Sequence, residues 1–308
     1  VLDVLREECD IPVWHDDAQG TACVTLAGLI NALKLAGKKM SDAKIVFFGA
    51  GASNTTIARL IIADGGNPKN MILFDSSGAL STDRADIKAD HRFYRKWELC
   101  ESTNPKKINT MEEAMKGADV LISLSSPGPD TIKKEWVSLM AEKSIVFVCA
   151  NPVPEIYPYA AKEAGAFIVA TGRGDFPNQV NNSLGFPGIL KGALIVRAQK
   201  ITDTMAIAAA HSLANYSEKR GINPENITPT MDEADVFPVE AADVAMQAIK
   251  DGVARRKVTW QEAYDIAKKD IEYSRSLTHS LCKEGFISDP PAEMMQDALD
   301  FTIKQVEA

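Results

Sequence analysis

The feature that most constrains this chain is the stretch at residues 44–75, which reads KIVFFGAGASNTTIARLIIADGGNPKNMILFD. An apolar run, Ile45–Phe48, leads into a turn that contains Gly49 and Gly51, and a segment with apolar residues at helical spacing follows. A second apolar run ends at Asp75. Strand, glycine turn, helix, strand and acidic residue, in this order, form the unit with which α/β proteins bind a dinucleotide. The stretch therefore predicts an α/β fold with a dinucleotide site; a purely structural turn is the alternative.

Each part of this unit has its own predicted role at the cofactor. Gly49 permits the tight turn, and Gly51 lets the backbone approach a pyrophosphate. The helix that follows, from about Ala52 and Ser53, directs its N-terminal amides at the phosphate charge. Asp75 is placed so that its carboxylate accepts hydrogen bonds from ribose hydroxyls. We assign these five residues to the cofactor site.

One residue of the turn departs from the usual pattern. The third glycine position holds Asn54, where Gly or Ala normally allows the helix to pack closely on the strand. We expect Asn54 to shift the bound cofactor slightly and to leave the two glycines nearest the phosphates effective.

The rest of the chain continues the α/β pattern. Further apolar runs alternate with helical segments, at residues 120–124, 144–150 and 167–170. Near-continuous apolar runs between helices are typical of a parallel sheet that is covered on both faces. We therefore predict a Rossmann-like, doubly wound, mainly parallel sheet in a dinucleotide-binding domain at residues 22–255. Residues 256–308 are predicted to form a helical C-terminal extension, and residues 1–21 a junction.

Two local predictions concern the ends of the chain. Residues 11–14 are short and apolar, which predicts a small strand. Residues 292–306 show helical spacing with one face that predicts core packing; this face carries Met295, Leu299, Thr302 and Val306.

Composition narrows the class of protein. The chain has 308 residues, of which 45% are hydrophobic, enough for a large core. Its net charge of −8 argues against a nucleic acid or an anionic membrane as partner, and its apolar stretches are too short to span a membrane. The five cysteines lack paired spacing, which indicates a reducing compartment and predicts a cytoplasmic protein without a disulfide framework or a zinc site.

Four motifs together resemble one family. They are HDDAQGT at residues 15–21, GAGA at 49–52, NPVPEI at 151–156 and NQVNNSLGFPG at 178–188. This set resembles the malic enzymes, specifically the small bacterial-type forms, over nearly all of the first 255 residues. The resemblance implies oxidative decarboxylation of L-malate to pyruvate and CO2, with NAD or NADP and with Mg2+ or Mn2+.

The resemblance also implies roles for two adjacent acids. Asp17 matches the family's metal-binding aspartate, and Asp16 matches the neighbouring aspartate that supports the catalytic proton chemistry. A divalent cation of this kind prefers oxygen ligands. The alternative is that two acids before a helix only favour the helix dipole.

Polar residues after the predicted strands match the substrate and nicotinamide contacts. Asn151 and Asn181 match asparagines that bind the substrate, with Asn182 as a further candidate, and Asn151 is assigned to the cofactor as well. An amide donates to a carboxylate without adding a charge that competes with the metal. Ser125 and Gly128 match the backbone along the nicotinamide ribose. The alternatives are a simple Asn-Pro turn at Asn151 and a plain strand-to-helix turn at Ser125 and Gly128.

The sequence favours NAD over NADP. Asp75 repels a 2′-phosphate. NADP-preferring members of the family can keep the aspartate but often carry a lysine two positions later, where this chain has Ser77, which offers no charge. NADP remains possible.

The resemblance exposes a gap before the HDD motif. In malic enzymes a general-acid tyrosine, a general-base lysine and a Glu-Asp pair of metal ligands precede this motif, and this sequence starts after that point. We therefore expect residues 1–21 to join a substrate- and metal-binding domain, the 308 residues alone to be inactive, and the enzyme to be a homodimer or larger. Two alternatives are a malolactic-type enzyme that retains NAD and releases lactate, and a non-catalytic dinucleotide-binding module.

Overall fold

A single sheet lies at the centre of the fold. Within residues 2–306, which this computed structural model describes, six strands pair into it: β1 Ile45–Phe48, β2 Met71–Asp75, β3 Gly78–Ala79, β4 Val120–Ser123, β5 Ile145–Val148 and β6 Ile168–Thr171. The strand order is β3-β2-β1-β4-β5-β6. All neighbours are parallel except β3, which forms a short antiparallel hairpin with β2. The predicted doubly wound, mainly parallel sheet is confirmed.

Helices connect the strands and cover the sheet. Their bounds are α1 Leu2–Glu8, α2 Thr21–Ala36, α3 Ala52–Ala63, α4 Ala85–Ala89, α5 Tyr94–Ser102, α6 Met111–Met115, α7 Lys134–Val137, α8 Pro158–Glu163, α9 Phe186–Ile195, α10 Asp203–Arg220, α11 Val236–Lys250, α12 Trp260–Lys283 and α13 Ala292–Val306. A π-helical turn, Asp16–Gly20, precedes α2, and short 3-10 turns lie at Pro68–Asn70, His91–Phe93 and Asn182–Leu184. None of the helices among residues 2–306 is long and apolar enough to cross a membrane.

The strands are apolar throughout because both faces of the sheet are buried. In β1, Ile45 and Phe47 pack into a core with α2, α3, α10 and α11, while Val46 packs into a second core with α6, α7 and α8. This alternation follows from the two-residue period of a strand. Phe47 pairs in register with Leu73 on β2 and Ile122 on β4, and all three are fully buried. Burial of one such side chain contributes about 1.5–3 kcal/mol.

Helix α2 directly follows the turn at Asp16–Gly20 and packs into the core. It is buried along most of its length and ends at Gly37, which adopts the left-handed conformation with φ of 70°. Asn31 is also buried there, and its amide donates to the carbonyls of Ala214 (3.0 Å) and Ile227 (2.8 Å). These bonds join α2 to the C-terminal part of the same core.

Two local predictions were wrong. Residues 11–14 do not form a strand, because no segment within residues 2–306 pairs with them and Pro12 has no backbone N–H to donate. On α13 the apolar face is not in a core: Met295 and Leu299 are 59% and 54% exposed, and Thr302 is exposed too. The side chain of Val306 lies outside the described residues. An amphipathic pattern shows that a face favours burial, but not that the same chain covers it.

The chain divides into two compact units, residues 1–267 and 268–308. The first holds the sheet and both cores. The second contains the C-terminal part of α12 together with α13.

An ion pair that titrates joins α10 to Asp64, the residue that follows α3. His211 Nε2 lies 2.7 Å from Asp64 Oδ1, and this hydrogen bond raises the pKa of His211 above its usual value of 6.5. A raised pKa in the folded state gives stability that is complete below the unfolded value and is lost as the pH rises through the folded value.

We therefore expect His211→Gln to lower the free energy of unfolding more at about pH 5.5 than at about pH 8.5. The loss should be at most about 1 kcal/mol, because water screens this half-exposed pair. Urea unfolding at the two pH values measures it. His279→Gln, at an exposed histidine on α12, is the control, and an equal loss for His211→Gln at both pH values would contradict the assignment.

Candidate active site

The crevice at the switch point of the sheet begins with Gly49. This residue follows β1 and has φ of 93°, a region that side chains rarely adopt. A Cβ at this position would also overlap the carbonyl of Leu124, which follows β4. The turn after β1 can therefore pass the end of β4 only with glycine. Gly51 differs: it precedes α3, its φ is −79°, and apart from its own chain neighbours no described atom lies within 4 Å of where its Cβ would be.

The space beside Gly51 is open and lies at the start of a helix. Helix α3 begins at Ala52, and the amides of a first helical turn have no partners inside the helix. An empty region at the positive end of a 12-residue helix suits a phosphate group. The predicted contacts at Gly51, Ala52 and Ser53 are thus consistent with the local geometry.

Asn54, the irregular residue of the turn, has a structural role. Its buried side-chain amide donates to the carbonyls of Phe48 (3.1 Å) and Gly49 (2.7 Å). The amide holds the glycine turn to the first turn of α3. A glycine or alanine could not make these bonds, so the asparagine replaces close packing with hydrogen bonding.

Asp16 is held between two motifs. Its Oδ1 accepts from Trp14 Nε1 at 3.1 Å, and its Oδ2 accepts from Asn182 Nδ2 at 2.6 Å. Gly20 makes room, because a Cβ there would overlap the carboxylate. Burial raises the pKa of Asp16, and the charge of Asp17 adds to the rise, while the bond from Trp14 opposes it. Residues 166 positions apart in sequence thus meet at one carboxylate.

Asp17 connects the same motif to the cofactor helix. Its side chain is exposed, and its backbone carbonyl accepts a hydrogen bond from Ser53 Oγ at 2.9 Å. Among the residues that the structure describes, no three His, Cys, Asp or Glu side chains are grouped so as to hold a metal ion.

The two predicted substrate asparagines lie on different segments. Asn181 accepts a hydrogen bond from the Ser183 amide at 2.9 Å and so begins a 3-10 turn. Asn151 is exposed after β5, with its side chain against Gly172 at the end of β6. Within residues 2–306 these two side chains share no hydrogen bond. The structure thus pairs Asn182, rather than Asn181, with the acidic motif.

Glu155 is a residue of this region that the sequence did not single out. It is completely buried and accepts four hydrogen bonds: from Ser123 Oγ (2.7 Å), Ser125 N (2.8 Å), Ser125 Oγ (3.1 Å) and Ala150 N (3.0 Å). One carboxylate thereby joins the ends of β4 and β5, where Ser125 and Asn151 are predicted to meet the cofactor. The signal was present in the NPVPEI motif, as a glutamate in an otherwise apolar segment.

The surroundings of Asp75 were also missed. Arg84 donates to both of its oxygens, at 2.9 and 3.0 Å, and Lys96 donates at 3.1 Å. The amide of Ser77 donates as well, at 2.9 Å. Partial burial would raise the pKa of Asp75, but the bonds from Arg84, Ser77 and Lys96 together lower it. The expected preference for NAD assumes an unopposed negative charge at Asp75, and the structure shows two cations beside it.

The remaining cofactor candidate is Gly128, after β4. It has φ of 145°, so the chain turns there in a conformation that favours glycine. It stands three residues beyond Ser125, which Glu155 holds. Both predicted nicotinamide contacts therefore follow β4, at the C-terminal edge of the sheet.

Replacing Glu155 should affect stability strongly. Glu155→Ala leaves four donors without this acceptor, two of them buried (Ser123 Oγ and Ala150 N) and two partly buried (both on Ser125), and we expect a loss of about 3 kcal/mol or more in the free energy of unfolding. Glu155→Gln should lower the free energy of unfolding by less, because the amide oxygen still accepts hydrogen bonds and only the amide nitrogen faces a donor. Urea denaturation measures both.

Glu163→Ala is the matched control, because this exposed glutamate on α8 pairs only with Lys134 on the surface. It should change the free energy of unfolding by less than about 1 kcal/mol. A loss for Glu155→Ala no larger than that of the control would refute the role given to the buried carboxylate.

The chain is similar to known proteins in both sequence and fold. The family model described as "Malic enzyme, NAD binding domain" matches residues 18–250. The crystal structure of the Entamoeba histolytica malic enzyme is 65% identical, with a TM-score of 0.97 over 100% of this chain and 63% of that chain. A bifunctional malic/malolactic enzyme of Bacillus subtilis is 42% identical over 266 residues, which are 86% of this chain and 63% of the relative.

An NADP-dependent malic enzyme of Halomonas elongata is 39% identical over 267 residues, 82% of this chain and 61% of the relative. The chain thus spans less than two thirds of the length of each of these three proteins. The family model and the structural similarity both confirm the family that the four sequence motifs indicated. The chain belongs to the malic enzyme family, of which it carries the NAD-binding domain.

Proposed function

We propose that this chain forms the cofactor-binding part of an enzyme that oxidatively decarboxylates L-malate to pyruvate and CO2, with reduction of NAD or NADP. The observation that carries the proposal is the bond between Asp16 and Asn182, together with the bond from Ser53 to the Asp17 carbonyl. These contacts bring Asp16, Asp17 and Asn182 together near the first turn of α3, which supports the proposal. A non-catalytic module would need the glycine turn alone.

Different residues along the crevice bind different parts of the cofactor. Gly49, Gly51, Ala52 and Ser53 receive the pyrophosphate at the start of α3. When bound, the nicotinamide takes up the hydride that leaves C2 of the hydroxy acid. The nicotinamide ribose is positioned by residues that follow the strands β4 and β5, namely Ser125, Gly128 and Asn151.

Asp16 is proposed to serve the proton chemistry. Its raised pKa favours a carboxyl that holds a proton more readily than an exposed aspartate does. Asn182 fixes the carboxyl through the 2.6 Å bond and orients it. Asn151 and Asn181 are proposed to donate to the substrate's carboxylates and hydroxyl, where an amide adds no charge.

Asp17 is proposed as one ligand of Mg2+ or Mn2+. Its exposed carboxylate is a hard oxygen donor, and the cation needs several more than this part of the chain provides. We accordingly propose that residues 1–21 join a further substrate- and metal-binding domain to the dinucleotide-binding domain at 22–255, and that 256–308 form a C-terminal extension.

Assembly and location are part of the proposal. Apolar side chains of the second unit are exposed, among them Tyr273, Phe286 and Phe301, which supports a homodimer or larger assembly. The cysteines at 9, 23, 100, 149 and 282 are all free, which supports a reducing, cytoplasmic location.

A malolactic activity is the second candidate, favoured by the name of the Bacillus subtilis relative. The same residues would bind malate and cofactor. Product analysis separates the two: pyruvate with free reduced cofactor indicates the malic reaction, and lactate without free reduced cofactor indicates the malolactic one.

Two glycine substitutions test the cofactor site. Gly51→Ala places a methyl group in the open space and should keep the fold, within about 1 kcal/mol, while it weakens NADH and NADPH binding at least about tenfold. Gly49→Ala should instead destabilise the protein, because a φ of 93° and the Leu124 carbonyl exclude a side chain. Fluorescence titration and urea unfolding measure the two effects. If Gly51→Ala binds both dinucleotides as well as the wild type, the phosphate assignment is wrong.

A third test concerns activity. With malate, Mn2+ and NAD or NADP, we expect no turnover from the 308 residues alone and turnover from an enzyme in which a related malic enzyme's preceding domain is joined to them. In the active protein, Asp17→Ala should reduce metal-dependent turnover by at least about a hundredfold and leave NADPH binding intact. Asp10→Ala, at an exposed acid before the motif, is the control. Retained activity in Asp17→Ala would refute the ligand assignment, and turnover by the 308 residues alone would refute the need for a further domain.

A further inference from the structure

A cavity of about 230 Å³ lies at the edge of the sheet opposite the crevice. Lys44, which immediately precedes β1, and Asn70, which immediately precedes β2, both line it. The loop before α6 forms another part of its wall, which includes Lys106. Because β1 and β2 are parallel, their starts lie at the edge away from the glycine turn that follows β1. The residues of this cavity are therefore distinct from those assigned to cofactor and malate.

The wall of this cavity is positively charged, although the chain as a whole carries a net charge of −8. Lys44, Lys69 and Lys106 line it together with the carboxylate of Asp42, which leaves a net charge of +2. Within residues 2–306, the ammonium groups of Lys69 and Lys106 form neither an ion pair nor a hydrogen bond. Cations in the wall of a cavity that lack an acidic partner attract an anion into it.

Two of the lysines repel each other. Burial lowers the pKa of Lys44, and the charge of Lys106 lowers it further, while Asp119 and Glu113 oppose the shift. Lys44 Nζ donates to the carbonyl of Lys116 at 2.8 Å, which uses one of its three donors. Like charges are thus held near each other with donors to spare. An anion in the cavity favours the charged form of both lysines and relieves this repulsion.

A buried asparagine fixes the loop that carries Lys106. Asn104 has φ of 47°, and its backbone N–H donates to the carbonyl of Met71 at 2.9 Å. Its side-chain amide donates to the carbonyls of Leu80 (3.1 Å) and Ile108 (2.9 Å), and its side-chain oxygen accepts from the Ile108 amide at 2.9 Å. The wall of the cavity is therefore formed before a ligand arrives, so binding orders little further backbone.

The size of the cavity and its apolar lining restrict the ligand. A volume of about 230 Å³ is below the range of about 300–1,000 Å³ that is usual for drug-sized ligands, which argues against a nucleotide. Ile72, which is buried, and Ile108, which is half-buried, line the same cavity as the lysines. Apolar side chains among cations suit a small molecule in which a short carbon segment separates two anionic groups.

We propose that this cavity binds a small organic dianion whose two anionic groups are separated by a short apolar segment, as in a dicarboxylate. Lys69 and Lys106 bind the charged ends, and Ile72 and Ile108 contact the carbon segment. A charge of −2 on the ligand balances the net charge of the wall. The site lies apart from the crevice, so it needs neither the dinucleotide nor malate turnover.

Calorimetric titration of the 308-residue chain with succinate tests this site. Acetate, with one charge, and inorganic phosphate, with no separated ends, are the comparison ligands. We expect succinate to bind at least about tenfold more tightly than either. Lys69→Ala and Lys106→Ala should each weaken succinate binding at least about fivefold, because each removes a cation that meets one end of the ligand.

A substitution of opposite sign strengthens the test. Asp42→Asn removes the carboxylate that lines the cavity, so it should tighten succinate binding about two- to fivefold. Lys219→Ala, at an exposed lysine on α10, is the matched control and should leave binding within about twofold. Urea unfolding verifies that each variant is folded, and the gain in Asp42→Asn keeps the test decisive if a lysine variant is not.

The outcomes separate this inference from the proposed function. Succinate affinity that persists with saturating NADH supports a site outside the crevice, whereas displacement by NADH would overturn it. Absence of succinate binding, equal affinity for acetate or phosphate, or an unchanged affinity in both lysine variants would also overturn the proposal. Failure of NADH to bind, with succinate binding as expected, would refute the cofactor function alone.

Discussion

The carbonyl of Leu124 and the backbone of Gly49 meet with no room for a side chain, and the site depends on this contact. It forms where the chain leaves β1 and β4, the two strands between which the sheet order changes direction. Because those strands are parallel, their ends open a crevice at one edge of the sheet. The tight turn then directs α3 toward that crevice. Any residue with a Cβ at position 49 would separate the turn from the strand.

Hydrogen bonds assemble the remainder of the site around this crevice. Asn54 holds the turn to α3, and Glu155 holds the ends of β4 and β5 together. Asp16 accepts from Asn182, which unites the first and last motifs of the chain. These polar contacts are buried or half-buried, where an unmet partner is costly, so they fix one arrangement of the loops. The predicted substrate and cofactor residues lie on the loops that these bonds position.

Ion pairs likewise order the side chains at the end of β2. Asp75 was understood from sequence as a lone negative charge, and its meaning changes when Arg84 and Lys96 surround it. Ser77, the position at which NADP-preferring members of the family often carry a lysine, lies close to Asp75 in the chain. The cations come from 9 and 21 residues further along. Electrostatic recognition depends on distance in space, and sequence proximity is a poor guide to it.

The sequence by itself determined the α/β class, the parallel sheet, the glycine turn and the family. Those features depend on local periodicity and on short motifs, in which each residue's neighbours along the chain supply most of the information. Only the tertiary structure decided which side chains meet: Asn182 at Asp16, Glu155 at two strand ends, and Arg84 and Lys96 at Asp75. It also showed that the apolar face of α13 is exposed and that residues 11–14 are unpaired. Strand pairing and side-chain burial depend on partners that are distant in sequence. The periodicity of a segment carries no information about which partners these are.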